Sequence, residues 1–242
     1  MASPVADGYR TAWLEAEKAT GSRDHILSLL GLVQRRHDIQ GRRVLELGSG
    51  LGTNLLRFAD ANQVQGVESL APAAERARAA GVPTLVSDLD TCALPWPDDH
   101  WDWVLALDVL EHLVNPGHAL REARRVLGPD GHIVVNLPNS FDWRARWRVL
   151  CGAGIDAAAH FPGQPAWRYP HLRFFRHRDV LALLHECGFE PVADLSRLQP
   201  SLPKSRWWPT LAGAIAARCP DVASSGFFIV ARKGATEADR AP

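Results

Sequence analysis

Hydrophobic and polar positions along this chain follow two spacings. Short apolar runs that are typical of buried strands alternate with segments whose apolar residues recur every three or four positions, as in amphipathic helices. The runs that we interpret as strands lie at 44–47, 64–68, 83–90, 101–108, 132–137, 189–195 and 226–233. Helices are predicted at 55–59, 72–80, 116–127 and 179–187, and over most of 9–40. Because strands and helices alternate from 43 to 137, we expect a parallel, doubly wound sheet.

The first strand runs into three glycines at alternate positions, Gly48, Gly50 and Gly52. Glycine has no Cβ, so the backbone can adopt positive φ there and a ligand can lie against it. The helix that follows Asn54 would present free N–H groups to the same ligand. Similar turns serve dinucleotide and mononucleotide sites, and an ordinary strand-to-helix turn is the alternative.

Acidic residues stand at the ends of the next two predicted strands. Glu68 is followed by Ser69, and Asp88 by Leu89. A carboxylate after the second strand can accept hydrogen bonds from both hydroxyls of a ribose. One such acid is usually a cap or solvated, but successive strands place theirs at the edge where open α/β sheets bind ligands.

Length and composition restrict the classes of protein to consider. The chain has 242 residues, of which 46% are hydrophobic and 22% charged, so a wholly disordered chain is excluded. Lys and Arg balance Asp and Glu at 27 each, so no nucleic-acid partner is expected. Four cysteines lack Cys-x-x-Cys spacing, and neither a leader nor a membrane-length apolar run is visible, so we expect a cytoplasmic protein. The oligomeric state stays open.

The predicted organisation is one domain with additions. Residues 1–40 form an N-terminal helical cap, 41–233 the domain and 234–242 a polar tail. Two insertions, 139–178 and 199–225, are expected on the substrate side. From 142 to 178 there are seven arginines and two acidic residues, interleaved with tryptophans. This segment is either a wall that binds an anionic acceptor or a helix that packs its tryptophans on the core while its arginines are solvated.

Several motifs together resemble the class I S-adenosylmethionine-dependent methyltransferases. They are Glu46-Leu-Gly-Ser-Gly-Leu-Gly, Glu68, Asp88, Asp102 and Asp108-Val-Leu-Glu-His-Leu. The resemblance implies a Rossmann-like, mostly parallel sheet of seven strands whose last strand is antiparallel. It also implies S-adenosylmethionine as methyl donor, with S-adenosylhomocysteine as product.

The same resemblance implies roles for individual residues. Glu46 would approach the methionine end of the cofactor, and Asp108 would line the methionine or acceptor pocket. The glycines at 48, 50 and 52 would pass close to the cofactor, and Glu68 with Ser69 would face the ribose. Asp88 would meet the adenine amine, and the backbone N–H of Leu89 a ring nitrogen.

Later motifs are similar to the MetW-like branch of this superfamily: Leu137-Pro-Asn, Trp143-Arg-Ala-Arg, His171-Leu-Arg-Phe-Phe and Cys187-Gly-Phe-Glu. The first functional hypothesis is O- or N-methylation of a polar, anionic small molecule such as a sugar, a nucleotide sugar or a natural-product intermediate. The alternative is a cofactor-binding accessory protein that acts with an acyltransferase partner in methionine biosynthesis. An NAD(P)-dependent oxidoreductase is a third hypothesis, which Thr53 in the glycine turn disfavours.

Two histidines are candidate catalytic bases, since imidazole titrates near neutral pH. They are His112 and His171, and for each the alternative is a structural hydrogen bond. Asp108, Glu111 and His112 have i, i+3, i+4 spacing and could converge with His171 on a divalent metal ion. This set resembles the Glu-x-x-Glu-His and distant His of the small-RNA 3′-end methyltransferases, with Asp108 in place of the first Glu. The metal therefore stays an open hypothesis.

Overall fold

Seven strands form one sheet in the computed structural model, which describes residues 24–152, 171–201, 214–215 and 218–234. The strands are β1 (Arg43–Leu47), β2 (Gln63–Glu68), β3 (Thr84–Val86), β4 (Trp101–Leu107), β5 (Leu127–Pro138), β6 (Phe189–Asp194) and β7 (Gly226–Lys233). Their order across the sheet is β3-β2-β1-β4-β5-β7-β6. β1 to β5 are parallel, and β7 is antiparallel to both β5 and β6. The predicted fold class is confirmed.

Helices cover both faces of this sheet. They are α1 (Asp24–Arg36), α2 (Thr53–Ala59), α3 (Ala71–Ala79), α4 (Pro116–Val126), α5 (Trp143–Leu150), α6 (His177–Glu186) and α7 (Pro220–Ala223), with 3-10 turns at Leu110–His112 and Ser196–Leu198. Because side chains alternate along a strand, each face has its own apolar core. One core holds Leu45 with Leu120 of α4 and Val180 of α6, and the other holds Val44 with Leu30 of α1.

Two strands differ most in extent from the sequence prediction. The third strand ends at Val86 rather than at 90, and Asp88 lies in the turn that follows. The strand predicted at 132–137 begins at Leu127 instead, directly after α4. Leu127 pairs with Trp101, and an irregular register then accommodates Gly128-Pro-Asp-Gly inside the ladder.

The two predicted insertions are described only in part. Asp142 caps α5, since its Oδ1 accepts a hydrogen bond from the N–H of Ala145 at 2.9 Å. Trp143 is half-buried and donates from Nε1 to the carbonyl of Ser201, whereas Trp147 is 64% exposed. The two tryptophans therefore do not pack together into the core. Residues 153–170, 202–213 and 216–217 of these insertions, and residues 235–242 of the predicted tail, lie outside the described residues.

No helix among the described ranges is long and apolar enough to cross a membrane. The helical cap predicted at 1–40 is represented by α1, whose apolar side chains pack on the sheet. Residues 1–23 of that cap lie outside the described part, so the cap as a unit stays a prediction.

Candidate active site

A small cavity of about 90 Å³ lies at the carboxyl ends of β1, β2 and β4, where this kind of sheet binds ligands. Its lining comprises Ile26, Gly48, Ser49, Gly50, Thr53, Asn54, Glu68, Leu107, Asp108 and Val109. A larger depression of about 560 Å³ lies at the opposite edge. Most of its charged groups bind one another or backbone carbonyls, as Lys233 binds Asp99 at 2.7 Å. We therefore take the smaller cavity, called here the loop pocket, as the candidate site.

The three loop glycines all have left-handed backbone, as predicted, with φ of 67° at Gly48, 53° at Gly50 and 75° at Gly52. A Cβ on Gly48 would lie 2.5 Å from Cγ2 of Val109, and one on Gly52 would lie 2.9 Å from Cβ of Val82. Both contacts are shorter than atoms tolerate. The glycines are thus required by the packing of the protein itself as well as by the turn.

Glu68 fastens the loop to the end of β2. Its buried carboxylate accepts a hydrogen bond from the N–H of Gly50 at 2.9 Å and another from the N–H of Leu70 at 2.8 Å. The hydroxyl of Ser69 donates to the same carboxylate at 3.3 Å. Glu68 therefore orients the glycine loop and also forms part of the pocket wall. Its predicted contact with a ribose stays a prediction.

Glu46 lies beneath the loop and connects to the pocket through Asn54. Its side chain is buried, and Oε1 accepts a hydrogen bond from Nδ2 of Asn54 at 2.7 Å. Asn54 in turn lines the loop pocket. Glu46, which was predicted to approach the methionine end of the cofactor, therefore does not line the pocket itself. Asn54 lies between its carboxylate and the pocket.

Asp88 and Leu89 lie in the turn after β3. The exposed Asp88 accepts hydrogen bonds from the N–H of Asp90 at 2.9 Å and the hydroxyl of Thr91 at 3.2 Å, so it stabilises that turn. Leu89 is buried in the apolar core. Neither residue belongs to the lining of the loop pocket, and their adenine contacts stay predictions.

Asp108 directly follows β4, has a left-handed backbone with φ of 51°, and is held by residues that the sequence interpretation missed. Nδ2 of Asn136 donates to its Oδ1 at 2.6 Å, and Oδ1 of Asn136 accepts from Nε2 of Gln199 at 2.9 Å. Oε1 of Gln199 lies 3.1 Å from Nε2 of His25. The only sequence signal was the polar Asn136 within the apolar run of β5. This network joins α1 and the second predicted insertion to the pocket.

The 3-10 turn that follows Asp108 carries Glu111 and His112. His171, from much later in the chain, lies beside them. Oε1 of Glu111 lies 3.9 Å from Nε2 of His112 and 4.0 Å from Nε2 of His171. The two rings are edge to face with centroids 4.8 Å apart. We call these three residues the Glu-His-His cluster. The structure thus brings together both predicted catalytic histidines.

Backbone hydrogen bonds explain how His171 arrives there. The N–H groups of Leu172 and Arg173 donate to the carbonyl of Glu111 at 2.8 and 3.1 Å. The guanidinium of Arg173 also donates to the carbonyl of Val114, just beyond the turn. Three hydrogen bonds therefore attach the segment after residue 170 to the 3-10 turn and to Val114.

The carboxyl group of Glu111 is in an unfavourable environment for a charge. Its side chain is 2% exposed, and neither oxygen has a hydrogen-bond partner within the part of the chain described. Burial, and secondarily the charge of Asp108, hold the pKa of Glu111 well above its ordinary value. The expected helical face of Asp108, Glu111 and His112 does not form, because the backbone of Asp108 is left-handed and the turn begins only at Leu110.

The arginines of the basic segment mostly bind nearby groups. Arg144 lies 3.3 Å from Oδ2 of Asp142, and Arg146 donates to the carbonyl of Phe141. Arg176 forms a two-point hydrogen bond with Asp179 at the start of α6. The predicted anion-binding wall therefore stays a prediction. The side chain of Arg144 is 53% exposed.

Comparison with known proteins decides the family. The family described as "Methyltransferase domain" matches residues 21–194, most of the chain. The chain belongs to this methyltransferase family. Together with the sheet order, this confirms the resemblance to class I methyltransferases, while the MetW-like branch stays a prediction.

Individual relatives match parts of the methyltransferase domain. The 27-O-demethylrifamycin SV methyltransferase of Amycolatopsis mediterranei is 35% identical over 103 residues, 39% of this chain and 38% of the relative. The phosphatidylethanolamine N-methyltransferase of Cereibacter sphaeroides is 24% identical over 165 residues, 57% of this chain and 81% of the relative. A S-adenosylmethionine-dependent methyltransferase structure from Aquifex aeolicus, 15% identical, has a TM-score of 0.61 and covers 91% of this chain and 98% of its own. Three of the curated relatives are longer proteins, of which this chain spans 31% to 54%.

Proposed function

We propose that this methyltransferase transfers the methyl group of S-adenosylmethionine to an oxygen or nitrogen of a polar, anionic small molecule. The observation that carries the proposal is the loop pocket, where the glycine loop and Glu68 face Asp108, with the Glu-His-His cluster directly beyond it. The glycine loop and Glu68 suit a methyl donor that carries a ribose. The Glu-His-His cluster contains groups that can take up a proton.

The chain offers a coherent set of groups for the cofactor. The left-handed glycines leave bare backbone at the pocket, and Glu68 places a carboxylate in its wall. The residues proposed to hold the cofactor are Glu46, Gly48, Gly50, Gly52, Glu68, Ser69, Asp88, Leu89 and Asp108. The bound cofactor would supply a methyl group activated by a sulfonium.

The transfer needs an acceptor atom held in line and freed of its proton. A lone pair of the acceptor would form the new bond to the methyl carbon, and the electrons of the broken carbon–sulfur bond would stay on sulfur as a neutral thioether. The acceptor proton must leave in the same region. We propose that His112 and His171 assist the departure of this proton, since both belong to the Glu-His-His cluster.

The choice of acceptor rests on two supports. Relatives of this domain are named for methylation at oxygen and at nitrogen, so both stay open. On α5, the exposed Arg144 lies on the same helix as the exposed Trp147 and Leu150. Such a surface can contact a molecule with both a charged and an apolar part.

Calorimetry with S-adenosylhomocysteine, S-adenosylmethionine and NAD tests the cofactor directly. We expect micromolar binding of the first two and none of NAD. Transfer of labelled methyl groups to a panel of sugars, nucleotide sugars and natural-product intermediates then tests the acceptor. Cofactor binding with no turnover, and co-purification of an acyltransferase, would favour the accessory-protein alternative.

Exchanging the histidines separates the two ends of the site. We expect His112→Ala and His171→Ala to lower turnover by roughly 10²–10⁴-fold, the usual contribution of proton transfer, with little change in cofactor affinity. A matched control is His185→Ala on the exposed surface of α6, which should leave both quantities unchanged. Full turnover in both variants would show that neither histidine takes part.

A further inference from the structure

We propose that the Glu-His-His cluster is a binding site for one divalent transition-metal ion. The proposal deepens the proposed function, on which it rests for its catalytic meaning, by naming what holds the acceptor oxygen. Binding of the ion itself can be measured without any turnover.

The three ligand atoms would have to move only slightly closer together to bind one ion. One ligand atom from each of Glu111, His112 and His171 lies within 4.8 Å of the others. An ion bound at about 2.0–2.2 Å from each would set tetrahedral neighbours roughly 3.4 Å apart. Each side chain would therefore move by less than about 1 Å, which is within the reach of its χ angles.

Glu111 provides the second, independent observation. Its carboxyl group is buried, and among the described residues no donor reaches either oxygen. A buried polar group without a hydrogen bond is costly, and native structures rarely keep one without a reason. The group points at two imidazoles whose Nε2 atoms, at 3.9 and 4.0 Å, are too far for hydrogen bonds to it. A cation between them would give the Glu111 carboxylate a partner and bind both imidazoles.

The donor set indicates the class of ion. Two imidazoles and one carboxylate suit borderline ions such as Zn²⁺, Co²⁺ or Fe²⁺, whereas Mg²⁺ and Ca²⁺ favour oxygen ligands throughout. Three protein ligands also leave a further coordination position open. That position can take water or an acceptor hydroxyl.

The surrounding backbone prepares the site. Hydrogen bonds from Leu172 and Arg173 to the carbonyl of Glu111 hold the two chain segments together without using any ligand atom. A site built in this way loses little conformational freedom when an ion binds. If the proposed function holds, an acceptor hydroxyl bound to the ion would lose its proton more easily, because the cation stabilises the resulting oxyanion. The two histidines would then act by holding the ion, and the proton would pass to water.

The test is a Zn²⁺ titration of the full chain, first freed of metal by dialysis against a chelator and with its exposed thiols (Cys92, Cys151 and Cys219) alkylated. We expect one equivalent to bind and to raise the melting temperature, because a ligand that binds only the folded state stabilises it. Glu111→Gln and His171→Gln should weaken binding at least tenfold and abolish the rise. His185→Ala on α6 should bind like the unmodified sequence.

Glu111→Gln is the decisive variant, because it replaces the carboxylate ligand with an amide of nearly the same shape, and the melting temperature of the metal-free variant checks that it folds. Wild-type Zn²⁺ affinity in a folded Glu111→Gln protein would overturn the proposal, as would no binding by the unmodified chain at millimolar Zn²⁺. Calorimetry with S-adenosylhomocysteine on the same samples tests the proposed function separately. Binding of S-adenosylhomocysteine without binding of Zn²⁺ would rule out the metal site and leave the proposed cofactor in place. Binding of Zn²⁺ without binding of S-adenosylhomocysteine would rule out the proposed cofactor and leave the metal site in place.

Discussion

The two ends of the candidate site are built in different ways. The cofactor end consists of the glycine loop and Glu68, which lie within about twenty residues of one another in the chain. They are joined by one hydrogen bond between the N–H of Gly50 and the carboxylate of Glu68. The acceptor end joins Glu111 and His112 to His171, and both N–H donors that attach this segment to Glu111 come from residues directly after His171.

The two ends of the site differ in the substitutions that they tolerate. At the cofactor end, the backbone conformation and side chains of neighbouring elements fix the loop, so a single added methyl group should disturb it. At the acceptor end, three side chains face one another across distances longer than hydrogen bonds. We therefore expect substitutions to affect stability and cofactor binding at the first end, and chemistry at the second.

Gly48→Ala should have the largest effect. It combines a left-handed backbone with a Cβ only 2.5 Å from Val109, so we expect the free energy of unfolding to fall by roughly 2–4 kcal/mol and cofactor affinity to fall sharply. Urea unfolding and calorimetry with S-adenosylhomocysteine measure the two quantities. The matched control is Gly41→Ala, where φ is 64° and nothing lies within 4 Å of the added atom. Equal losses at both positions would show that contact with Val109 does not constrain the loop.

Glu68→Ala should come next, with cofactor binding weakened by about 1–3 kcal/mol, since a charged hydrogen-bonding group is lost. Titration with S-adenosylhomocysteine measures it. Glu68→Gln should fall between Ala and the unmodified chain, because one oxygen remains for the loop. Glu75→Ala on the exposed side of α3 is the control and should bind normally. Unchanged affinity in Glu68→Ala would mean that this carboxylate does not meet the ribose.

The smallest effect is a contrast in pH dependence between two ion pairs outside the candidate site, His177–Asp194 and Arg43–Asp102. A hydrogen bond to Asp194, at 2.6 Å, raises the pKa of His177, so this stabilisation is complete below about pH 6.5 and is lost as pH rises through the raised value. Asp102 differs: although burial acts to raise its pKa, hydrogen bonds from Arg43 hold it below the ordinary value. The Arg43–Asp102 contribution is therefore present at neutral and alkaline pH and is lost only in acid.

Urea unfolding of Asp194→Asn and Asp102→Asn near pH 6 and near pH 9 measures this contrast. Asp194→Asn should cost less than about 1 kcal/mol near pH 6, since water screens a pair this exposed, and still less near pH 9. The cost of Asp102→Asn should be the same at both. A cost of Asp194→Asn that does not change with pH would mean that His177 is not charged in the folded protein.

The sequence predicted the cofactor end better than the acceptor end for a physical reason. Strand ends, glycine turns and their acids are local features, and the resemblance to a known family supplied the order of the strands. Contacts between distant residues are decided by packing, which spacing does not show. The network from Asp108 through Asn136 to Gln199 was therefore missed.

The histidines illustrate the same limit more closely. Their types suggested proton or metal chemistry, and the structure does place His112 beside His171. The helical spacing that grouped them with Asp108 failed, however, because Asp108 adopts a left-handed backbone before the turn begins. Spacing predicts a shared face only where the backbone is a helix.

The position of β7 has a consequence for the order in which the chain can fold during synthesis. β7 lies between β5 and β6, yet residues 195–225 separate it from β6 in the chain. β6 pairs with β7 in the sheet, so it has no place there until residues 226–233 have left the ribosome. Strands β1 to β5 can pair with one another earlier, since all the pairs among them lie within residues 43–138. The cofactor end is thus assembled first, and β6 has to wait for a strand made later.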